Sequence, residues 1–199
     1  MKKNNVLASL ATAAIALPGL QAQAASVADS TKIGVRYHAY QEDNAVAEET
    51  ANLNTERYDI KVNQFQLIAP LTDSVQVDVN YQHEKMSGAS ARFNNRSGGK
   101  VVQVMSNASI EDTRKDWSAK VRYVTSDMLV AATVAQSSED DYESQSFALE
   151  VAYELADKLT TLSLAADRSD DDITPTTGTQ TVNVSFAEKE SSSVYAAVT

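Results

Sequence analysis

In runs that recur from Lys32 to the last residues, apolar and polar residues alternate at every second position, and this constrains what the chain can fold into more than any other feature. A period of two matches a β-strand with one apolar face; a helix would show apolar residues at i, i+3, i+4 and i+7. Ile33, Val35, Tyr37 and Ala39 alternate with Lys32, Gly34, Arg36 and His38. Val75, Val77, Val79 and Tyr81 form the cleanest stripe, against Gln76, Asp78, Asn80 and Gln82. Trp117 to Tyr123, Val130 to Val134, Phe147 to Leu155, Leu162 to Ala166 and Val194 to Val198 repeat the pattern. Eight strands are predicted: 31–41, 57–69, 74–86, 112–124, 128–137, 143–155, 159–168 and 188–199, with 180–187 a candidate extension of the last hairpin. In the second strand the phase slips between Val62 and Phe65, which predicts a β-bulge. Most of these runs exceed the usual globular strand of about five or six residues. They are long enough for a tilted strand to cross a bilayer, which takes about nine to eleven.

The connections fall into two classes. Pro70 to Asp73, Thr125-Ser126-Asp127 and Ala156-Asp157-Lys158 are tight turns rich in Asp, Ser and Pro. Residues 42–56, 87–111, 138–142 and 169–187 read as longer, polar loops. Long and short alternate, so an antiparallel meander carries all short turns at one end and all long loops at the other. Outer-membrane barrels have this asymmetry, with the short turns in the periplasm.

The N-terminus reads as an export signal. Met1-Lys2-Lys3 precedes an apolar run from Val6 to Leu17, and Ala22-Gln23-Ala24 is an A-x-A cleavage site. The cut is expected between Ala24 and Ala25, which makes 1–24 a Sec-type leader and 25–199 the mature barrel domain. The apolar run is too short for a membrane helix, which needs about 20 residues. Removing Lys2 and Lys3 takes two of the 17 basic residues and none of the 27 acids, so the net charge moves from −10 to −12.

These features predict an all-β, up-and-down antiparallel meander forming all or part of a transmembrane barrel. The polar stripe then lines a lumen: Lys61, Gln76, Asp78, Asn80, Gln82, Glu84, Lys120, Arg122, Glu150 and Glu154 are the candidates. Tyr40, Tyr58, Tyr81, Tyr123, Tyr142 and Tyr153 lie near strand ends and are the candidate interfacial girdle. The function expected is a porin-like outer-membrane protein, a passive channel for small polar solutes. Two alternatives stay open: a secreted or periplasmic β-sandwich binding a partner through acidic loops, and a structural, non-conducting barrel. Strand number separates pore from plug, because about eight strands leave room only for side chains.

Three local features resemble one family. Met86-Ser87-Gly88-Ala89-Ser90-Ala91-Arg92-Phe93, after Pro70-Leu71 and the strand that follows, is similar to the "SGAS" hairpin of the DUF3570 family. Gln136-Ser137-Ser138-Glu139-Asp140-Asp141-Tyr142 resembles that family's "SSEnDY" corner, and Asp167 to Ile173 resembles its next hairpin top. The resemblance spans about residues 33–199. It implies a proteobacterial outer-membrane barrel of unknown biochemical activity and supplies no catalytic residues. Members of that family are longer, which implies that this chain is the N-terminal half of a larger barrel.

Composition argues against several chemistries. The sequence has no cysteine, which excludes thiol catalysis and cysteine-ligated metal. It has no GxGxxG, P-loop or G-x-S-x-G motif. The acidic balance argues against nucleic acid as a partner. Glu48-Glu49, Glu139-Asp140-Asp141 and Asp170-Asp171-Asp172 read as solvated loop tips, since none has the spacing of a calcium loop. His38 and His83 read as strand-end residues. No enzyme activity, cofactor or metal is expected. The partners expected are outer-membrane lipid and the export and barrel-assembly machinery, and the sequence leaves the oligomeric state open.

Overall fold

The structure, a computed structural model, describes residues 26–44, 56–88, 91–97, 99–105, 110–156, 159–174 and 186–199. The expected leader with its cleavage site at Ala24 and Ala25 lies outside them, as do Glu48 and Glu49. The described residues form ten strands: β1 (Lys32–Gln41), β2 (Asp59–Pro70), β3 (Val75–Gly88), β4 (Ala91–Ser97), β5 (Lys100–Met105), β6 (Ile110–Val124), β7 (Met128–Ser138), β8 (Tyr142–Glu154), β9 (Thr161–Ile173) and β10 (Ala187–Val198). Eight of them build one antiparallel meander in the order β1-β2-β3-β6-β7-β8-β9-β10, while β4 and β5 pair as a separate hairpin. The predicted fold class is therefore the observed one, an all-β up-and-down sheet.

Each predicted strand is present, with shifted ends. β9 runs to Ile173, so Asp170-Asp171-Asp172 belongs to a strand and not to a loop tip. The connection between β7 and β8 is Glu139-Asp140-Asp141 alone, shorter than the 155–160 connection at the opposite end. Strict length alternation thus fails at this corner, although the meander still places it at the loop end. The β4–β5 hairpin falls inside the expected 87–111 loop. Gly98-Gly99 was its sequence signal, and Gly99 sits at a φ of 84°, as a two-residue hairpin turn requires.

The predicted bulge in β2 is absent. Both ladders of β2 run without a register shift from Asp59 to Ile68, and the ladder to β3 continues to Pro70. The apolar stripe instead changes face between Val62 and Phe65. Residues directly opposite in a ladder share a face, and the register gives unbroken rows. Val75, Tyr123, Val130, Val151, Leu164 and Ala196 form one apolar row across six strands. Ile33, Leu67, Val79, Ala119, Val134 and Phe147 form another.

Among the described residues every packed pair of strands is also a hydrogen-bonded pair, so no second layer covers either face. A β-sandwich needs such a layer. The burial is inverted relative to a soluble sheet. On the apolar face Val121 is 48% exposed and Leu149 47%, whereas on the other face Gln76 is 1% exposed and Asp171 3%. Along β8 every apolar-face residue is exposed and every opposite-face residue is half-buried. The sheet therefore curls toward its polar side. β1 and β10 are its two edges and are not paired with each other.

Candidate functional site: the polar face and its apolar reverse

The polar face is built from the stripe that alternates with the apolar rows. One row crosses all eight strands: Arg36, Gln64, Gln82, Asp116, Ser137, Ser144, Asp171 and Lys189. Its members bond sideways. Gln64 Nε2 donates to Gln82 Oε1 at 2.7 Å, Ser144 Oγ to Asp171 at 2.6 Å, and Lys189 Nζ to Asp171 at 3.2 Å. One row nearer the turns, Gln66 donates to Asn80 (3.2 Å) and Asn80 to Ser118 (3.4 Å).

Toward the short-turn end the charges are paired. Arg122 Nη2 meets Asp78 at 2.9 Å, and Gln76 Nε2 also donates to Asp78. Lys120 Nζ reaches Glu150 at 2.7 Å. Lys120 is on β6 and Glu150 on β8, so this bond passes over β7. It can do so because β7 presents only Ala131, Thr133 and Ala135 there.

Toward the loop end the balance is acidic. Glu84, Met86, Asp112, Arg114 and Glu139 line a shallow cavity. Arg114 pairs with Asp116 at 2.9 Å and with Glu139 at 3.5 Å. Burial, reinforced by Asp112, Asp141 and Asp116 and opposed by Arg114, raises the Glu139 carboxyl above its ordinary pKa. Across the same end, Glu42 is held below its ordinary pKa by the Tyr40 hydroxyl and by Arg57, 2.6 Å away.

Of the sequence-predicted lumen residues, Gln76, Asp78, Asn80, Gln82, Glu84, Lys120, Arg122, Glu150 and Glu154 share this polar face. Lys61 does not. The unbroken register of β2 puts it beside Lys85 and Ala39 on the reverse, bonded to Asp59 at 3.3 Å. Sequence reading missed Asp112, Arg114 and Asp116, which lie in the first part of the predicted strand 112–124 before its apolar stripe begins at Trp117, and Asp171 and Lys189, which were read as loop and strand end. His38 pairs with Val62 on the polar face and His83 with Asn63 on the reverse, so the two cannot share a ligand. No group of three His, Asp or Glu able to hold a metal occurs among the described residues.

The predicted tyrosine girdle splits in the same way. Tyr81, Tyr123 and Tyr153 stand on the apolar face, each more than 40% exposed. Tyr40 and Tyr142 stand on the polar face, and Tyr58 precedes β2 in phase with Ile60 there. The apolar face has other aromatics in their place. Phe65, Tyr81 and Trp117 form one direct row, and Phe147 lies one row nearer the turns. Trp117 is six residues from Tyr123, and Phe147 six from Tyr153, which is roughly 20 Å along a strand. Trp117 Nε1 donates to Gln136 (3.1 Å), which donates to Glu143 (2.9 Å). On β9 and β10 the same rows are charged, with Arg168 opposite Phe147 and with Asp170 and Glu190 in the Trp117 row, and one row nearer the loops Lys115 and Glu143 are charged as well.

The molecule is thus a single-layer antiparallel sheet with its apolar side outward and a hydrogen-bonded polar side inward. The chain matches the family described as "Protein of unknown function (DUF3570)" over residues 7–198, and it belongs to that family. No curated protein matches it. Among solved structures it is similar to in-vitro folded OmpT, an outer membrane protein of Vibrio cholerae, at 14% identity and a TM-score of 0.49, covering 82% of this chain and 48% of that one. The chain therefore spans about half the length of that structure.

Proposed function

We propose that the chain forms wall strands of an outer-membrane β-barrel of porin-like type, a passive channel for small polar solutes. The observation that carries this reading is the inverted burial. A single sheet whose exposed face is a broad apolar band requires an apolar solvent, and lipid is that solvent. The row of Phe65, Tyr81 and Trp117 and the row with Tyr123 fit the two interfaces. Hydrocarbon does not tolerate unpaired backbone groups, so the edges at β1 and β10 must be paired in the membrane, either with further strands or with each other. We favour further strands and a wide lumen, with this chain as the N-terminal half of the barrel. The family offers no activity to carry over. Export through a Sec-type leader and insertion by the barrel-assembly machinery complete the proposal, with lipid as the principal partner.

A second reading, a non-conducting barrel, is favoured by the pairing of Lys120 with Glu150 and Arg122 with Asp78, which ties polar side chains to each other and not to a solute. Two measurements test these readings. On fractionation, the mature protein is expected in the outer membrane and to need detergent for extraction. Recovery in the soluble periplasm overturns the barrel. Purified full-length protein in planar bilayers is expected to give discrete conductance steps, and silence across a range of salt concentrations supports the non-conducting reading.

A further inference from the structure

The polar face has one apolar patch that a water-filled lumen does not explain. Val124, Leu129 and Ala131 are its buried members, with exposures of 7%, 9% and 1%, and Ala152 packs against them. All four lie at the short-turn end, close to the paired Arg122 and Lys120. What covers them is the segment before β1: Val27 packs onto this cluster. The next residue is tied down as well, because the Ala28 N–H donates to Gln76 Oε1 at 2.7 Å. Gln76, at 1% exposure, is the largest fully buried side chain among the described residues.

We propose that residues 26–31 form a strap laid across the polar face, which holds the sheet curled and narrows the lumen at its short-turn end. The narrowing rests on the barrel reading; the seating and the curl do not. The strap leaves the edge strand β1, crosses β2, bonds to β3 and ends on β6, β7 and β8. Four strand intervals separate β1 from β7, or about 19 Å along the sheet. The five residue steps from Lys32 back to Val27 span at most roughly 17 Å. The segment, which bends at Asp29 and Ser30, therefore reaches β7 only as a chord across a curved wall. Its fixed points are one backbone hydrogen bond and one apolar side chain, a combination that a modest force or a single substitution can release.

The absence of cysteine makes the test clean. Ala131→Cys places one thiol beneath Val27, and Ser118→Cys places a control on the same face away from the strap. Both are modified with a small charged thiosulfonate in the full-length protein reconstituted in lipid vesicles. Adding Val27→Asp, or deleting residues 26–30, is expected to speed modification at position 131 by roughly tenfold or more and to leave position 118 unchanged. An equal rate at position 131 with and without the strap overturns the proposal. If Ala131→Cys does not insert, Ala152→Cys tests the same contact. Single-channel recording tests the narrowing separately. The deletion is expected to raise conductance, and a conducting wild type with an unchanged deletion variant overturns the narrowing. Silence of all variants overturns both the channel reading and the narrowing, while the modification rates still decide whether the strap is seated.

Discussion

At the scale of single residues, a side chain's parity decides what a substitution costs. Val121 lies in the exposed apolar band, opposite Val77 and Ala132. Val121→Arg is expected to cost about 2–4 kcal/mol, as for a charge placed near the midplane on a lipid face. Gln66→Arg on the polar face should cost under about 1 kcal/mol. Urea midpoints in lipid vesicles measure both; equal values would mean that lipid does not single out the Val121 face, and a reversed order that the faces are assigned the wrong way round. From sequence alone Gln76 is just another member of that tolerant polar stripe. The structure makes it an intolerant one, because its amide holds both Asp78 and the Ala28 N–H. Asp78→Ala should also be costly. It strands the Arg122 guanidinium on a half-buried face, a loss of about 1–3 kcal/mol, and Asp78→Ala combined with Arg122→Leu should recover part of it. Alternation revealed which residues share a face; it carries no information on which of them meet, so the bond from Lys120 over β7 to Glu150 was not readable.

At the scale of elements, the strand ends and corners carry the constraints. Gly88 closes β3 at a φ of 115°, and a Cβ there would run into the backbone carbonyl of Arg57. Gly88→Ala is therefore expected to loosen the loop end of β2 and β3 at a cost of about 1–3 kcal/mol, read as a lowered urea midpoint. At the β7–β8 corner, burial raises the Glu139 pKa. The folded state then binds this proton more tightly than the unfolded chain does. The resulting stability appears as pH falls through the raised pKa toward the ordinary value of 4.5, and it is lost as pH rises. Glu42 works in the opposite sense. Its contribution is present above 4.5 and is lost only as pH falls through its lowered pKa. Unfolding midpoints between pH 7 and 4.5 should thus rise in the wild type relative to Glu139→Gln, and a constant difference over that range would contradict the assignment. The existence of all eight sheet strands was legible in the period of two. Their ends were not, because acidic residues look like loop whether they flank a strand or, as Asp170 to Asp172 do, extend it beyond the apolar band.

At the scale of the whole molecule, what was legible is the polarity of the meander, and it rests on topology more than on loop length. The connections 42–58, 89–109, 139–141 and 174–186 share one end, and 71–74, 125–127 and 155–160 share the other. The apolar band lies nearer the short turns, since toward the loops the outward positions of β6, β8 and β9 become charged at Lys115, Glu143 and Arg168 while Val75, Tyr123 and Tyr153 close the band at the turn end. The strands therefore project past the band on the loop side only, as they do when loops rise from an outer surface. On the barrel reading this predicts an orientation that can be checked without knowing any solute. In a chain with no cysteine of its own, Asp140→Cys at the loop end should react with a membrane-impermeant maleimide on intact cells. Asp73→Cys at the turn end should stay unlabelled until the outer membrane is permeabilised. If both residues label on intact cells, the band between them is not buried in that membrane; if the order reverses, the short turns face outward and the sidedness derived from the meander is inverted.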